Sequence, residues 1–128
     1  MPRISHCALW TRDLERARQF YELYFGGQPG SRYENKSNRF SSYFLSFESG
    51  PRLELMHKPD LGRVLGEVEQ CGYAHVAFSL GSEAQVIELT ERLRRDGYQV
   101  AGEPRRTGDG YYESTILDPD GNRVELTF

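Results

Sequence analysis

Arg52-Leu53-Glu54-Leu55 and Arg123-Val124-Glu125-Leu126 are almost the same four residues, and each follows a histidine at nearly the same interval. His6 stands 48 positions before Glu54, and His75 stands 50 before Glu125. A repeat of this kind means one structural unit used twice. Gly50 and Gly121 each lie four residues ahead of the glutamate, so the turn that presents it is repeated too. A two-fold arrangement of such units can bring two imidazoles and two carboxylates together.

Working outward from the first glutamate, Ser5 to Trp10 reads as a strand with Ile4, His6, Ala8 and Trp10 on one face. Asp13 is the N-cap of a helix carrying Leu14, Ala17, Phe20, Tyr21 and Tyr24, which ends at Gly26-Gly27. Gln28 to Phe40 is polar and turn-rich, with one short strand at Ser31 to Glu34. Phe40 to Glu48 and Arg52 to His57 are strands joined by Ser49-Gly50-Pro51. The pattern then restarts. Ala74 to Leu80 is a strand, and Ser82 with Gln85 forms a capping box for a helix carrying Val86, Leu89 and Leu93 that stops at Gly97. Strands follow at Tyr98 to Val100, Tyr111 to Leu117 and Arg123 to Phe128, separated by the loop Thr107 to Gly110 and the turn Asp118-Pro119-Asp120-Gly121.

Each half therefore reads β-α-β-β-β, and the expected fold class is α+β. Two tandem βαβββ modules, about 1–57 and about 74–128, share a single domain spanning 1–128. The connector, about 58–73, has room for a helical turn around Val64 to Val68. Each curved mixed sheet is covered by its helix on one face, and the opposite faces form a cup-shaped metal site.

Strand alternation assigns the glutamates to that site. Leu53 and Leu55 share a face that packs under a helix, so Glu54 projects from the other. Val124, Leu126 and Phe128 put Glu125 in the same position in the second module. His6 and His75 obey the same rule. Two carboxylates facing each other in a cavity repel unless protonated or bridged, and a divalent cation resolves the conflict. His6, Glu54, His75 and Glu125 are thus the expected ligands of one divalent ion per site. Two imidazole nitrogens and two carboxylate oxygens suit nickel, cobalt or zinc, with manganese as a further candidate, and leave open positions for a substrate. Glu113 is expected to be solvated, and His57, at a strand end, to be exposed.

Composition limits the functional classes. With 38% hydrophobic and 27% charged residues the chain reads as globular, and its net charge of −3 argues against nucleic acid as a partner. No apolar run is long enough to cross a bilayer, and Met1 to His6 lacks the apolar core of a signal peptide, which gives an expectation of a cytoplasmic location without membrane association. Cys7 and Cys71 have no metal-binding spacing and are expected to be free thiols.

The chain resembles the vicinal oxygen chelate superfamily, which contains glyoxalase I, fosfomycin and bleomycin resistance proteins, extradiol dioxygenases and methylmalonyl-CoA epimerase. The resemblance runs from Ile4-Ser5-His6, Asp13-Leu14-Glu15 and Phe20-Tyr21 through Leu53-Glu54-Leu55 and Ala74-His75-Val76-Ala77-Phe78 to Asp118-Pro119-Asp120-Gly121-Asn122 and Val124-Glu125-Leu126. Glutamate at position 54 is similar to small bacterial glyoxalase I, where the epimerases have glutamine.

That resemblance implies a lactoylglutathione-lyase-like metalloenzyme that isomerises a hemithioacetal or a related small oxygenated substrate by proton abstraction and enediolate stabilisation. Glu125 is the expected base and Glu54 its counterpart. It also implies a homodimer in which His6 and Glu54 of one subunit meet His75 and Glu125 of the other. Where small bacterial glyoxalases carry an arginine, four residues after the first histidine, this chain has Trp10. Trp10, Arg39, Tyr43 and Tyr112 are the candidate substrate-binding residues. The competing expectations are another oxygen-chelate reaction (epimerisation, dioxygenation or epoxide opening) or a protein that binds a metal or an antibiotic without turnover.

Overall fold

The computed structural model describes residues 1–62 and 71–128. The chain divides into two compact units, Met1–Arg63 and Val64–Phe128. In the first, β1 (His6–Trp10) leads into α1 (Leu14–Phe25), followed by β2 (Gln28–Pro29), β3 (Tyr33–Asn35), β4 (Phe40–Ser46) and β5 (Arg52–His57). In the second, β6 (Val76–Ser79) leads into α2 (Glu83–Arg95), followed by β7 (Val100–Arg106), β8 (Tyr112–Leu117) and β9 (Arg123–Thr127). The helical turn expected at Val64 to Val68 lies outside the described residues.

Each unit builds one mixed sheet, with strand order β1-β5-β4-β2 in the first, where β3 also pairs with β4, and β6-β9-β8-β7 in the second. The first strand of each unit runs parallel to the last, β1 with β5 and β6 with β9, and the remaining ladders are antiparallel. The α+β class and the βαβββ-like module are thus observed twice.

Local chemistry accounts for the element boundaries. Asp13 accepts a hydrogen bond from the Arg16 amide at 3.0 Å, and Gly26 ends α1 in the left-handed region at φ 69°. Ser82 caps α2 through the Gln85 amide at 3.2 Å, while the Gln85 side chain takes the Gly81 N–H at 2.6 Å, one residue before the expected partner of a capping box. Gly50 and Gly121 both have positive φ, 84° and 87°, which explains why the turn ahead of each glutamate requires glycine.

Three expectations need correction. The single short strand foreseen at Ser31 to Glu34 is a strand interrupted in two, β2 and β3, both paired with β4; Pro29 has no amide hydrogen to donate, and the Gly30 amide bonds the Phe44 carbonyl at 2.9 Å between them. Its counterpart β7 is longer than Tyr98 to Val100, because an edge strand with register shifts around Gly102 tolerates Pro104. Phe128 is not covered by α2. It lies past the end of β9 and is 55% exposed.

The helix-facing residues are those that the alternation selects. Leu14, Ala17, Phe20 and Tyr21 of α1 are buried with Leu45, Leu53 and Leu55, and Val86 and Leu93 of α2 with Ile116, Val124 and Leu126. A polar contact also lies in the second core: Thr90 and Ser114 hydroxyls meet at 2.7 Å, and Thr90 donates to the Val86 carbonyl at 2.6 Å. Each is satisfied, as burial demands.

Truncating the fully buried Leu55 or Leu126 to alanine is expected to cost about 2–5 kcal/mol, while Glu54→Gln between two such leucines should change stability by less than about 1 kcal/mol. Urea denaturation of the metal-free protein checks both. Comparable losses at Leu55 and Glu54 would contradict the assignment of faces.

Candidate functional site

In β5 the residues beneath α1 are Leu53 and Leu55, and Glu54 is half-buried between them on the opposite face. The register places His6 opposite Arg52 and Ala8 opposite Glu54, so His6, a diagonal neighbour, shares the Glu54 face. The His6 Nε2 lies 3.8 Å from Glu54 Oε1, and its Nδ1 is 3.1 Å from the Ser5 hydroxyl. Phe44, directly across from Glu54 on β4, meets the His6 ring edge-on at a centroid distance of 5.3 Å. The Arg52 guanidinium lies over the Phe44 ring, 4.3 Å from its centroid.

The second unit repeats the pair. Ala77 is opposite Glu125 on β9, and His75 Nε2 lies 3.2 Å from Glu125 Oε2. His75 itself precedes β6 by one residue, because the strand begins at Val76 rather than at Ala74. The extra ladder pair that holds His6 against Arg52 has no counterpart here.

A second carboxylate stands beside the first. Glu113 on β8 faces Thr127 across the ladder, and Thr115 faces Glu125, which puts Glu113 diagonal to Glu125 on the same face. Glu113 is half-buried, not solvated as expected, and shares a hydrogen bond with Glu125. Burial and that bond push the Glu125 carboxyl above the ordinary range, while the nearby His75 and Arg105 pull the other way. Thr127 Oγ1, on this face as well, is buried without a hydrogen-bond partner among the described residues. The signal for Glu113 was present in the alternation of Tyr112 to Leu117, but only the ladder register shows that its face is that of Glu125.

The four substrate-binding candidates separate. Trp10 lies on the face of His6 and Glu54, with its ring against Phe40. Tyr43 is opposite Leu55, on the α1 side, and donates to Glu15 Oε1 at 2.7 Å, a bond that raises the tyrosine pKa and keeps the hydroxyl protonated. Tyr112 has the parity of the buried Ser114 and Ile116, and carries Arg106 over its ring at 5.8 Å. Arg39 is exposed in the turn before β4 with a left-handed φ of 58°. His57 is half-buried rather than exposed, and its Nδ1 donates to the Thr11 carbonyl at 2.9 Å, joining the ends of β1 and β5.

Each unit thus presents one imidazole and one carboxylate within ligand-forming distance, at equivalent places in the sheet. The donor chemistry fits a borderline divalent ion, and the distances leave room for one between each nitrogen and oxygen. Among the described residues no group of three or more His, Cys, Asp or Glu side chains converges, so the cup-shaped four-ligand site of the sequence reading is not formed by either unit alone. Cys7 and Cys71 are exposed free thiols, and no described helix is long and apolar enough to cross a membrane.

A family model described as the Glyoxalase/Bleomycin resistance protein/Dioxygenase superfamily matches residues 3–126. The chain is 30% identical to the uncharacterised protein YqjT of Bacillus subtilis, covering 96% of each chain. It is 28% identical to a lactoylglutathione lyase of Neisseria meningitidis, over 97% of this chain and 88% of that protein. Among solved structures, a glyoxylase/bleomycin resistance protein/dioxygenase domain from Frankia sp. shares the fold, with a TM-score of 0.84, 20% identity and coverage of 100% and 98%.

The raised Glu125 carboxyl makes stability depend on pH in the metal-free protein. The folded state favours the protonated form, so this contribution is complete below the ordinary value of 4.5 and is lost as pH rises through the raised value. Urea unfolding between about pH 4 and pH 7 should show the wild type losing stability relative to Glu125→Gln, whose amide does not titrate. Parallel curves for the two proteins would count against the carboxylate pair.

Proposed function

The chain belongs to the Glyoxalase/Bleomycin resistance protein/Dioxygenase superfamily, and on that premise we propose that it is a glyoxalase-I-like metalloenzyme. Its reaction is isomerisation of a hemithioacetal or a related small oxygenated substrate by proton transfer next to a carbonyl. The observation that carries this reading is the duplicated His–Glu pair, His6 with Glu54 at 3.8 Å and His75 with Glu125 at 3.2 Å. Similarity to a lactoylglutathione lyase supports it.

Two such pairs make the full ligand set of one divalent ion, nickel, cobalt or zinc first and manganese next. We assign both units to one catalytic domain that works as a homodimer, the first pair of one subunit completing the second pair of its partner. Dimerisation would also cover β1 and β6, edge strands whose apolar residues Ala8 and Ala77 are exposed.

The residues have distinct tasks. His6 and His75 would hold the ion through Nε2, and the contact of His6 Nδ1 with Ser5 fixes the orientation of that ring. A divalent ion, which His6, Glu54, His75 and Glu125 would hold, would supply Lewis-acid polarisation that makes a substrate C–H next to a carbonyl easier to deprotonate. Glu125 takes that proton and returns it to the adjacent carbon. In the metal-free protein its environment, half-buried and beside Glu113, raises its affinity for a proton. Glu54 serves the opposite face of the substrate.

Glu125→Gln keeps the shape and an oxygen ligand but cannot accept a proton, and should lower turnover by a hundredfold or more while the fold is retained. Exchange of the substrate's carbon-bound hydrogen in deuterated water, followed by NMR on hemithioacetals of glutathione and of smaller thiols, measures the effect. Absence of both exchange and isomerisation with every adduct under nickel, cobalt, zinc and manganese would replace the lyase by a different chelate enzyme or a binder.

His6→Ala and His75→Ala should each lower bound metal and activity at least tenfold. Mixed under conditions of subunit exchange, they should regain activity, since one site of the mixed dimer is intact. A wild-type protein that is monomeric by light scattering at assay concentration would overturn the shared-site assignment.

A further inference from the structure

On the face of the first unit that carries His6 and Glu54, the ladders arrange side chains in rows. Ala8, Glu54 and Phe44 make one row, and Trp10, Met56, Ser42 and Tyr33 the next, about 7 Å further along the strands. Phe40 ties the ends of the second row together, meeting the Trp10 ring at 6.2 Å and 89°, and the Tyr33 ring at 6.1 Å and 60°. Trp10 is 45% and Tyr33 54% exposed, although both are held in place by ring contacts. Lys58 Nζ, 5.2 Å from the Trp10 ring centroid, bounds the shelf.

With Lys58 over one part of the Trp10 ring, the remaining exposed aromatic surface of Trp10 and Tyr33 beside a ligand pair is poised to take up a flat apolar group. The only side chain between His6 and Trp10 on the same face of β1 is that of Ala8, which leaves the path clear. For a substrate whose two oxygens were held by an ion at His6 and Glu54, a substituent directed along the strands would pass Ala8 and meet Trp10. The rows are about 7 Å apart, a span to which an aryl ring is better matched than a methyl group.

We infer that Trp10, Phe40 and Tyr33 form an aromatic subsite that selects substrates carrying an aryl or similarly flat apolar substituent on the carbons that bear the vicinal oxygens. The inference rests on the proposed metal site and adds the substrate class.

Benzohydroxamate and acetohydroxamate test this, because both chelate a metal through the same two oxygens and differ only in the substituent. Trp10 is the only tryptophan of the chain, so its fluorescence reports occupancy directly. Zinc-loaded protein is titrated with each compound by calorimetry and by fluorescence. Benzohydroxamate should bind about tenfold more tightly than acetohydroxamate and change the Trp10 emission, as expected for one stacked ring. Trp10→Ala should lower benzohydroxamate affinity about tenfold and acetohydroxamate affinity far less, and Tyr33→Ala, on the short strand β3, should reduce the preference about threefold. Equal affinities in the wild type, or a preference that survives both variants, would overturn the aromatic subsite and leave the face to another protein surface. Failure of the protein to retain zinc, or of zinc-loaded protein to bind either hydroxamate, would instead overturn the metal site and the subsite with it.

Discussion

The alternation of leucine or valine with glutamate on β5 and β9 is the constraint on which the rest depends. Leu53, Leu55, Val124 and Leu126 are essentially buried beneath helices, and each such side chain contributes about 1.5–3 kcal/mol through the area it removes from water. A one-residue slip of either strand would expose both apolar residues and drive the glutamate into the core. The ladder register is therefore locked by hydrophobic burial, and the position of each carboxylate opposite the helix follows from it. The histidines come along because β1 runs parallel to β5, with His6 matched to Arg52, and β6 runs parallel to β9.

Upon this shared frame the two units have diverged in what surrounds the pair. In the first, Glu54 is opposite Phe44, with Trp10, Phe40 and Tyr33 further along, so the carboxylate sits beside aromatic surface. In the second, the residues on the ligand face are Glu113, Thr115 and Thr127, and the neighbourhood is polar. Burial and a second carboxylate raise the proton affinity of Glu125, and the cross-strand neighbours of Glu54 are instead Ala8 and Phe44. This asymmetry gives a physical basis for assigning proton transfer to one unit and substituent recognition to the other.

The helices leave part of each sheet uncovered. α1 packs chiefly on β4 and β5, and α2 on β7, β8 and β9. Cys7 therefore remains exposed and Leu9 half-buried although both have the parity of Leu53 and Leu55, and Val76 and Phe78 on β6 are likewise only half-buried. Edge strands with apolar residues on both faces are a liability unless something covers them. A second copy of the chain is the covering that the proposed shared site calls for.

Most of the framework was legible in the residues themselves. The repeat of Arg-Leu/Val-Glu-Leu, the capping residues Asp13 and Ser82, and the glycines at 26, 50, 97 and 121 fixed the modules and their turns, because caps, positive φ and period-two burial are local and act through the nearest few residues. The same local logic placed Glu54 and Glu125 on the sheet faces opposite the helices. What only the tertiary structure decided concerns cross-strand neighbours: that Glu113 stands beside Glu125, that Tyr43 bonds Glu15 beneath α1 while Trp10 joins Phe40 on the other face, and that Tyr112 turns away with Ser114. Those relations depend on the register between strands separated by turns and helices. Register is set by the sum of core contacts and ladder hydrogen bonds, a non-local quantity that no single segment encodes.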